Sequence, residues 1–65
     1  MRKIGEVIKE RRKMLKITQK TMSELSDVSI NTITKIERCE SNPSIDILEK
    51  ILDTLGLEIN IVVKR

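Results

Sequence analysis

Two helix starts, at Thr18 and Ser29, constrain most of what this chain can become. Each hydroxyl residue follows an apolar one (Ile17, Val28) and precedes another four positions on (Met22, Ile33). A Thr or Ser at an N-cap accepts a hydrogen bond from a free amide of the first turn. Apolar residues on either side of it, at this spacing, staple the angle at which the chain enters the helix. Only Ser26-Asp27-Val28 separates the two helices, a turn too short for anything but a tight, fixed angle. The pattern predicts a second helix from Thr18 to about Ser26 burying Met22 and Leu25. A third helix follows from Ser29 to about Arg38, with Ile33 and Ile36 inward.

The flanking segments supply the rest of a small helical domain. Ile4, Ile8, Arg11 or Arg12, and Leu15 recur at three- and four-residue steps beside Val7, which predicts a first helix over about 2–15. Gly5 within it lowers helix propensity slightly. Ser44 caps a fourth helix with an apolar stripe of Ile45, Leu48, Ile51, Leu52 and Leu55, and Gly56 supplies a left-handed stop. After Gly56 the period changes from helical to alternating. Leu57, Ile59, Ile61 and Val63 interleave with Glu58, Asn60, Val62 and Lys64, which reads as one β-strand with an apolar face. A lone strand leaves its backbone unpaired. The economical partner is the same strand of a second copy, antiparallel across a two-fold axis. A tail that packs on its own helices, or pairs with another protein, is the alternative. The expected fold is therefore all-α with four to five helices and one C-terminal strand: a helical domain over 1–56 and a dimerising strand over 57–65.

Composition narrows the chemistry. At 65 residues the chain is near the lower size limit for a self-sufficient core. Cys39 is its one cysteine and it has no histidine, so neither an internal disulfide nor a zinc site can supplement that core. No histidine, paired carboxylates or glycine-rich phosphate loop argues for an enzyme, and no cofactor or metal is expected. Cys39 is expected to be inert, and Met1, Met14 and Met22 to be fillers. Net charge is +3, yet residues 1–20 hold eight Lys/Arg against two Glu. That excess suits an anionic partner, nucleic acid or a membrane surface, or is simply a solvated helix face. The first helix lacks the Trp, Phe or Leu-rich face of an interfacial helix. With no aromatic residue the chain cannot stack unpaired bases, which argues against single-stranded nucleic acid as the target. No apolar run approaches a membrane span and no signal peptide is evident, so a soluble, cytoplasmic protein is expected, nucleoid-associated when on DNA.

The third helix is polar where a structural surface helix carries Glu, Lys and Ala. Asn31 can bond bidentately to adenine, Thr32 can offer hydroxyl or methyl, Lys35 reaches guanine or phosphate, and Ile30 suits a thymine methyl. Such a helix fits a major groove while the preceding helix, starting at Thr18 and Gln19, meets the phosphates with its free amides. Lys/Arg at 2, 3, 9, 11, 13, 16 and 20 would supply the phosphate field. Taken singly, Gln19, Asn31, Lys35 and Arg38 can also be ordinary solvated side chains.

The stretch TQKTMSELSDVSINTITKIERCESNPSIDILEKILDTLGL resembles the Cro/repressor (Xre-type) helix-turn-helix family, with its T-Q pair, V-S turn, I-x-x-I-E run and L-G close. The resemblance spans residues 4–57 and implies a lambda-repressor-like domain. It implies phosphate contacts from Gln19 and Ser29, base reading by Ile30, Asn31, Thr32 and Lys35, backbone reach for Arg38, and a structural ion pair of Arg12 with Glu37. The appended LEINIVVK resembles the small HipB-like antitoxin repressors, which implies a homodimer, an autoregulated toxin-antitoxin operon and a kinase-like toxin as possible partner. A helix-turn-helix domain kept mainly for protein interaction is the other implied reading. Three residues depart from the family pattern: Asp27 and Cys39 stand where it has glycine, and Ser23 where it has alanine.

Overall fold

A computed structural model describes residues 3–64; Met1, Arg2 and Arg65, with the roles expected of them, lie outside the described residues. Four helices form: α1 over Ile4–Met14, α2 over Gln19–Ser26, α3 over Ile30–Glu37 and α4 over Ile45–Thr54. The caps read from sequence close three of them. Thr18 accepts from the Thr21 amide at 3.0 Å, and Ser29 and Ser44 accept from Thr32 and Ile47 at 3.2 Å each. Both staples also close. Met22 and Ile33 are wholly buried, Val28 nearly so, and Ile17 packs against the same core.

That core draws on every helix: Ile8, Met22, Ile33, Ile36, Ile51, Leu52 and Leu55, with Val28 from the turn. α2 packs against both α3 and α4, and α1 packs against α3. The α1–α3 crossing depends on Gly5, which is buried. A Cβ there would collide with the Ile36 carbonyl oxygen and lie 2.9 Å from the Cys39 Sγ. Gly5 therefore serves close packing, a larger role than its effect on helix propensity.

Three helices end in the same left-handed turn. Lys16, Cys39 and Gly56 take φ of 58, 61 and 71°. Behind each, two amides reach back to the last turn: Lys16 and Ile17 to the carbonyls of Lys13 and Arg12, Cys39 and Glu40 to those of Ile36 and Lys35, Gly56 and Leu57 to those of Asp53 and Leu52. This is the Schellman arrangement, which satisfies carbonyls that the helix leaves free. α2 instead ends at Asp27, also left-handed at φ 60°. Its turn is fastened by Ser23, whose hydroxyl donates to the Val28 carbonyl at 2.6 Å. Asp27 and Cys39 thus keep the glycine-like conformation despite a Cβ, and Ser23 adds a bond that alanine could not make.

The expected strand does not form. Among the described residues none is in a β-ladder, and 57–64 is irregular. The reason is the one that made the segment conspicuous: a strand needs a neighbour, and among the described residues no second segment pairs with it. Its first residue is also committed elsewhere, since the Leu57 amide bonds to Leu52 at 2.8 Å and its side chain packs on the core. Ile61, Val62 and Val63 stay 95, 81 and 89 % exposed. Three smaller corrections accompany it. Leu25 is exposed, because Met22 and Ser26, four apart, take the inward face of α2 and Ser26 is small enough for close approach. Ile4 and Leu15 are exposed at the two ends of the α1 stripe, where little packs over them. Ile45 is exposed at the first position of α4.

Gly5→Ala is expected to lower stability by at least about 1–3 kcal/mol, since a backbone oxygen must move to admit the methyl. Lys16→Gly should act the other way, by up to ~1 kcal/mol, by relieving an L-residue in the left-handed region. Urea denaturation of the two variants checks both signs.

Candidate nucleic-acid interface

α3 is divided sharply by its burial. Ile33, Ile36 and Glu37 are buried, whereas Ile30, Asn31, Lys35 and Arg38 are exposed and Thr32 and Thr34 are half-buried at the margins. With 3.6 residues per turn, Asn31, Lys35 and Arg38 share one outward strip, and Ile30 and Thr34 flank it on one side. Of the four residues expected to read bases, Asn31 and Lys35 lie on this strip, Ile30 flanks it and Thr32 lies off it, while Arg38, expected at the DNA backbone, ends it. Ser29 is exposed, but its hydroxyl is engaged: it caps the helix and donates to Thr32 Oγ1 at 2.9 Å. Thr18 behaves alike at the start of α2, donating to Thr21 Oγ1 at 3.1 Å. Both remain at helix starts where neighbouring amides lack helical partners.

Behind the strip lies a connected set of polar side chains. Arg12 of α1 grips Glu37 with two parallel bonds, Nε to Oε2 at 2.7 Å and Nη2 to Oε1 at 3.0 Å. Its third nitrogen donates to the Ile17 carbonyl at 2.9 Å, which pins the α1–α2 loop. Gln19 Nε2 donates to Glu37 Oε1 at 3.0 Å, while Gln19 Oε1 accepts from the Thr34 hydroxyl at 3.1 Å. The Glu37 side chain is 3 % exposed and that of Arg12 11 %. Burial alone would push the Glu37 carboxyl up. The bonds from Arg12 and Gln19, with the charges of Arg12 and Lys9, outweigh it and hold the carboxyl below its ordinary value. The bond to Glu37 likewise raises Arg12, against the smaller opposing effect of burial. The pair is therefore ionised and ties α1 to α3, and no described buried side-chain polar atom lacks a partner.

The basic field is smaller than the count of cations suggests. Arg11 Nε donates to the Leu55 carbonyl at 2.9 Å, so this charge sits on the C-terminal end of α4, where the helix dipole favours it. Arg12 is consumed by Glu37. Lys3, Lys9, Lys13, Lys16 and Lys20 stay exposed, and the charge of Lys9 reaches Glu37 and so lies on the α3 side of α1. Of the residues expected to dimerise, Leu57 is half-buried against the core, Ile59 is 40 % exposed, and Ile61 and Val63 are almost fully exposed. Among the described residues no cluster of His, Cys, Asp and Glu could hold a metal, and no helix is long and apolar enough to cross a membrane. Sequence reasoning missed Thr34 as a partner of Gln19. The signal available was its position, three after Asn31 and on the side facing α2.

Comparison with known proteins bears on the domain as a whole. The sequence profile described as helix-turn-helix matches residues 8–62. The immunity repressor protein of Bacillus phage phi105 is 35 % identical over 60 residues, which cover 92 % of this chain and 42 % of the repressor. Proteins of several Methanococcus maripaludis strains named as HTH-type transcriptional regulatory proteins are 42 % identical over 53 residues, or 82 % of this chain and 16 % of theirs. The chain thus spans well under half the length of these relatives. No solved structure matches it.

The ion pair makes an acid-stability prediction with a definite sign. A carboxyl held low in the folded chain binds fewer protons there than when unfolded, so its stabilisation is complete above the ordinary value of 4.5 and is lost as pH falls through the lower folded value. The melting temperature should drop below about pH 4.5, with a shallower drop in Glu37→Gln. Glu37→Ala should cost about 3–5 kcal/mol at neutral pH by leaving the Arg12 charge buried without its counter-charge, and most of it should return when Arg12→Met accompanies Glu37→Leu. Thermal and urea unfolding across pH measure these effects.

Proposed function

The chain belongs to the helix-turn-helix family, and from that premise we propose that it is a sequence-specific repressor that binds an inverted-repeat DNA operator as a dimer. The observation that supports this reading most is the two-sidedness of α3. Ile30, Asn31, Lys35 and Arg38 face outward while Ile33, Ile36 and Glu37 anchor the same helix to the core. A rigid helix presenting short polar groups, one apolar side chain and two cations has the size and chemistry of a major-groove probe.

In this mechanism Asn31 bonds an adenine edge, Ile30 and Thr32 meet neighbouring bases, and Lys35 takes a guanine acceptor. Arg38 and the start of α2 at Thr18 and Gln19, with Ser29, rest on the phosphates. The exposed lysines of α1 and α2 add affinity that falls as salt rises. Two copies would place their α3 helices about one turn of duplex apart, roughly 34–36 Å. The segment after Leu57 joins the copies: Ile61, Val62 and Val63 are apolar, almost fully exposed and β-branched, which suits pairing with the same segment of a second chain. Binding over a promoter then blocks transcription. The immunity-repressor relative favours a plain repressor. An autoregulated antitoxin, or an interaction module that neutralises a kinase-like toxin, would use that same apolar segment for a protein partner.

Binding to the DNA upstream of its own gene is the first measurement, by gel shift. Asn31→Ala should weaken the cognate site by about 1–3 kcal/mol and relax preference at one base, with little effect on random DNA. Equal loss on cognate and random DNA would remove α3 as the reading element. Deleting residues 61–65, which spares Leu57 and the core, should leave a folded monomer by sedimentation. A deletion variant that stays dimeric would remove the C-terminal segment from the interface.

A further inference from the structure

The side chain of Gln19 is held from both ends before any ligand arrives. Its carbonyl oxygen accepts from Thr34 at 3.1 Å, and one hydrogen of its amide goes to Glu37 at 3.0 Å. Glu37 is itself fixed by two bonds from Arg12. A glutamine amide has two N–H donors. No described residue takes up the second, and Gln19 is half-buried at the first position of α2.

A free glutamine at that position would have three rotatable bonds to order on meeting a phosphate. Here that ordering has been done by the fold, and the planar amide leaves its remaining hydrogen one fixed direction. Thr34 is as firmly committed. Its hydroxyl proton points at Gln19, away from solvent, so what it can show to a base is chiefly its methyl.

We propose that Thr34 is a positioning residue for DNA binding: acting through Gln19, it aims the amide hydrogen left over from the Glu37 bond at a backbone phosphate. Thr34 would thus contribute affinity without reading sequence, although it lies on the reading helix. The inference rests on the DNA-binding reading above. It goes further by assigning a role that neither the sequence pattern nor the position of Thr34 on α3 provides, because a threonine beside Asn31 is otherwise expected to touch a base.

A double-mutant cycle separates the possibilities, with wild type, Gln19→Ala, Thr34→Val and the double variant titrated on the cognate duplex and on random duplex. Thr34→Val keeps size and methyl and loses the hydroxyl; Thr34→Ser does the reverse. The expected result is a roughly 3–10-fold loss for Thr34→Val, the scale of one hydrogen bond, equal on both duplexes. Thr34→Ser should recover to within about 2-fold of wild type, and adding Thr34→Val to Gln19→Ala should change nothing further. In the free protein, the two Gln19 side-chain amide proton resonances should be well separated and lose that dispersion in Thr34→Val, while melting temperature stays near wild type. Additive losses in the cycle, or a Thr34→Val loss confined to the cognate duplex, would overturn the role and make Thr34 a base contact. Failure of the wild type to bind any duplex would instead overturn the parent reading, and the resonances would still report whether Thr34 holds Gln19.

Discussion

The bidentate bond between Arg12 and Glu37 is the interaction on which the rest of the molecule's geometry depends. It crosses from the first helix to the third, and the same guanidinium pins the loop into the second through Ile17. A buried ion pair is a poor source of net stability, because desolvating two charges costs about what their attraction returns. Its value here is directional. The apolar cluster that Ile8 shares with Ile33 and Ile36 tolerates small rotations of α3 about its axis, whereas two parallel hydrogen bonds to one carboxylate do not. Rotation matters for this helix more than for the others, since a turn of one residue's width would exchange Asn31 for Thr32 at the outward strip.

The backbone is built to let that bond form. Gly5 brings α1 close enough that its backbone meets the Ile36 carbonyl, one residue before Glu37. Immediately afterwards Cys39 turns left-handed and ends the helix, its amide bonded back to that carbonyl. The helix that would read DNA is thus fixed at its start by Ser29 and at its end by the Gly5 crossing and the Cys39 turn. Gln19 and Thr34 hold its middle. Polar side chains fix what a core of mostly aliphatic residues in a 65-residue chain would leave loose.

Much of this was legible in the sequence because it is local. Thr18, Ser29 and Ser44 cap helices through atoms three residues away, and Met22 and Ile33 follow from a four-residue spacing. The Arg12–Glu37 pair, 25 residues apart, was legible through family resemblance alone, and no periodicity points to it. What escaped depends on contacts between elements distant in sequence. Gly5 looked like a propensity defect because its cost is intrahelical and its use is across helices. Arg11 looked like a phosphate ligand, but its partner is a carbonyl 44 residues on. Leu25 looked buried because apolar residues at three-residue steps usually are. Here α2 is only two turns long, and Met22 and Ser26 already fill its contact face.

The C-terminal segment shows a different limit. Its alternation is a true record of β-preference, yet preference becomes structure only when backbone groups find partners, and among the described residues no other segment supplies them. Helices α1 to α4 satisfy their own amides and so can be inferred one chain at a time. Residues 58–64 cannot, and the exposed Ile61, Val62 and Val63 are the consequence. Leu57 marks the boundary between the two regimes: its amide closes α4 and its side chain packs on the core, Ile59 after it is still more than half covered, and Ile61, Val62 and Val63 are almost fully exposed. A partner at this segment would then set the spacing between two domains without altering either one. In the dimeric reading proposed above that division suits two half-sites, since each α3 can stay rigid while the distance between them is fixed separately.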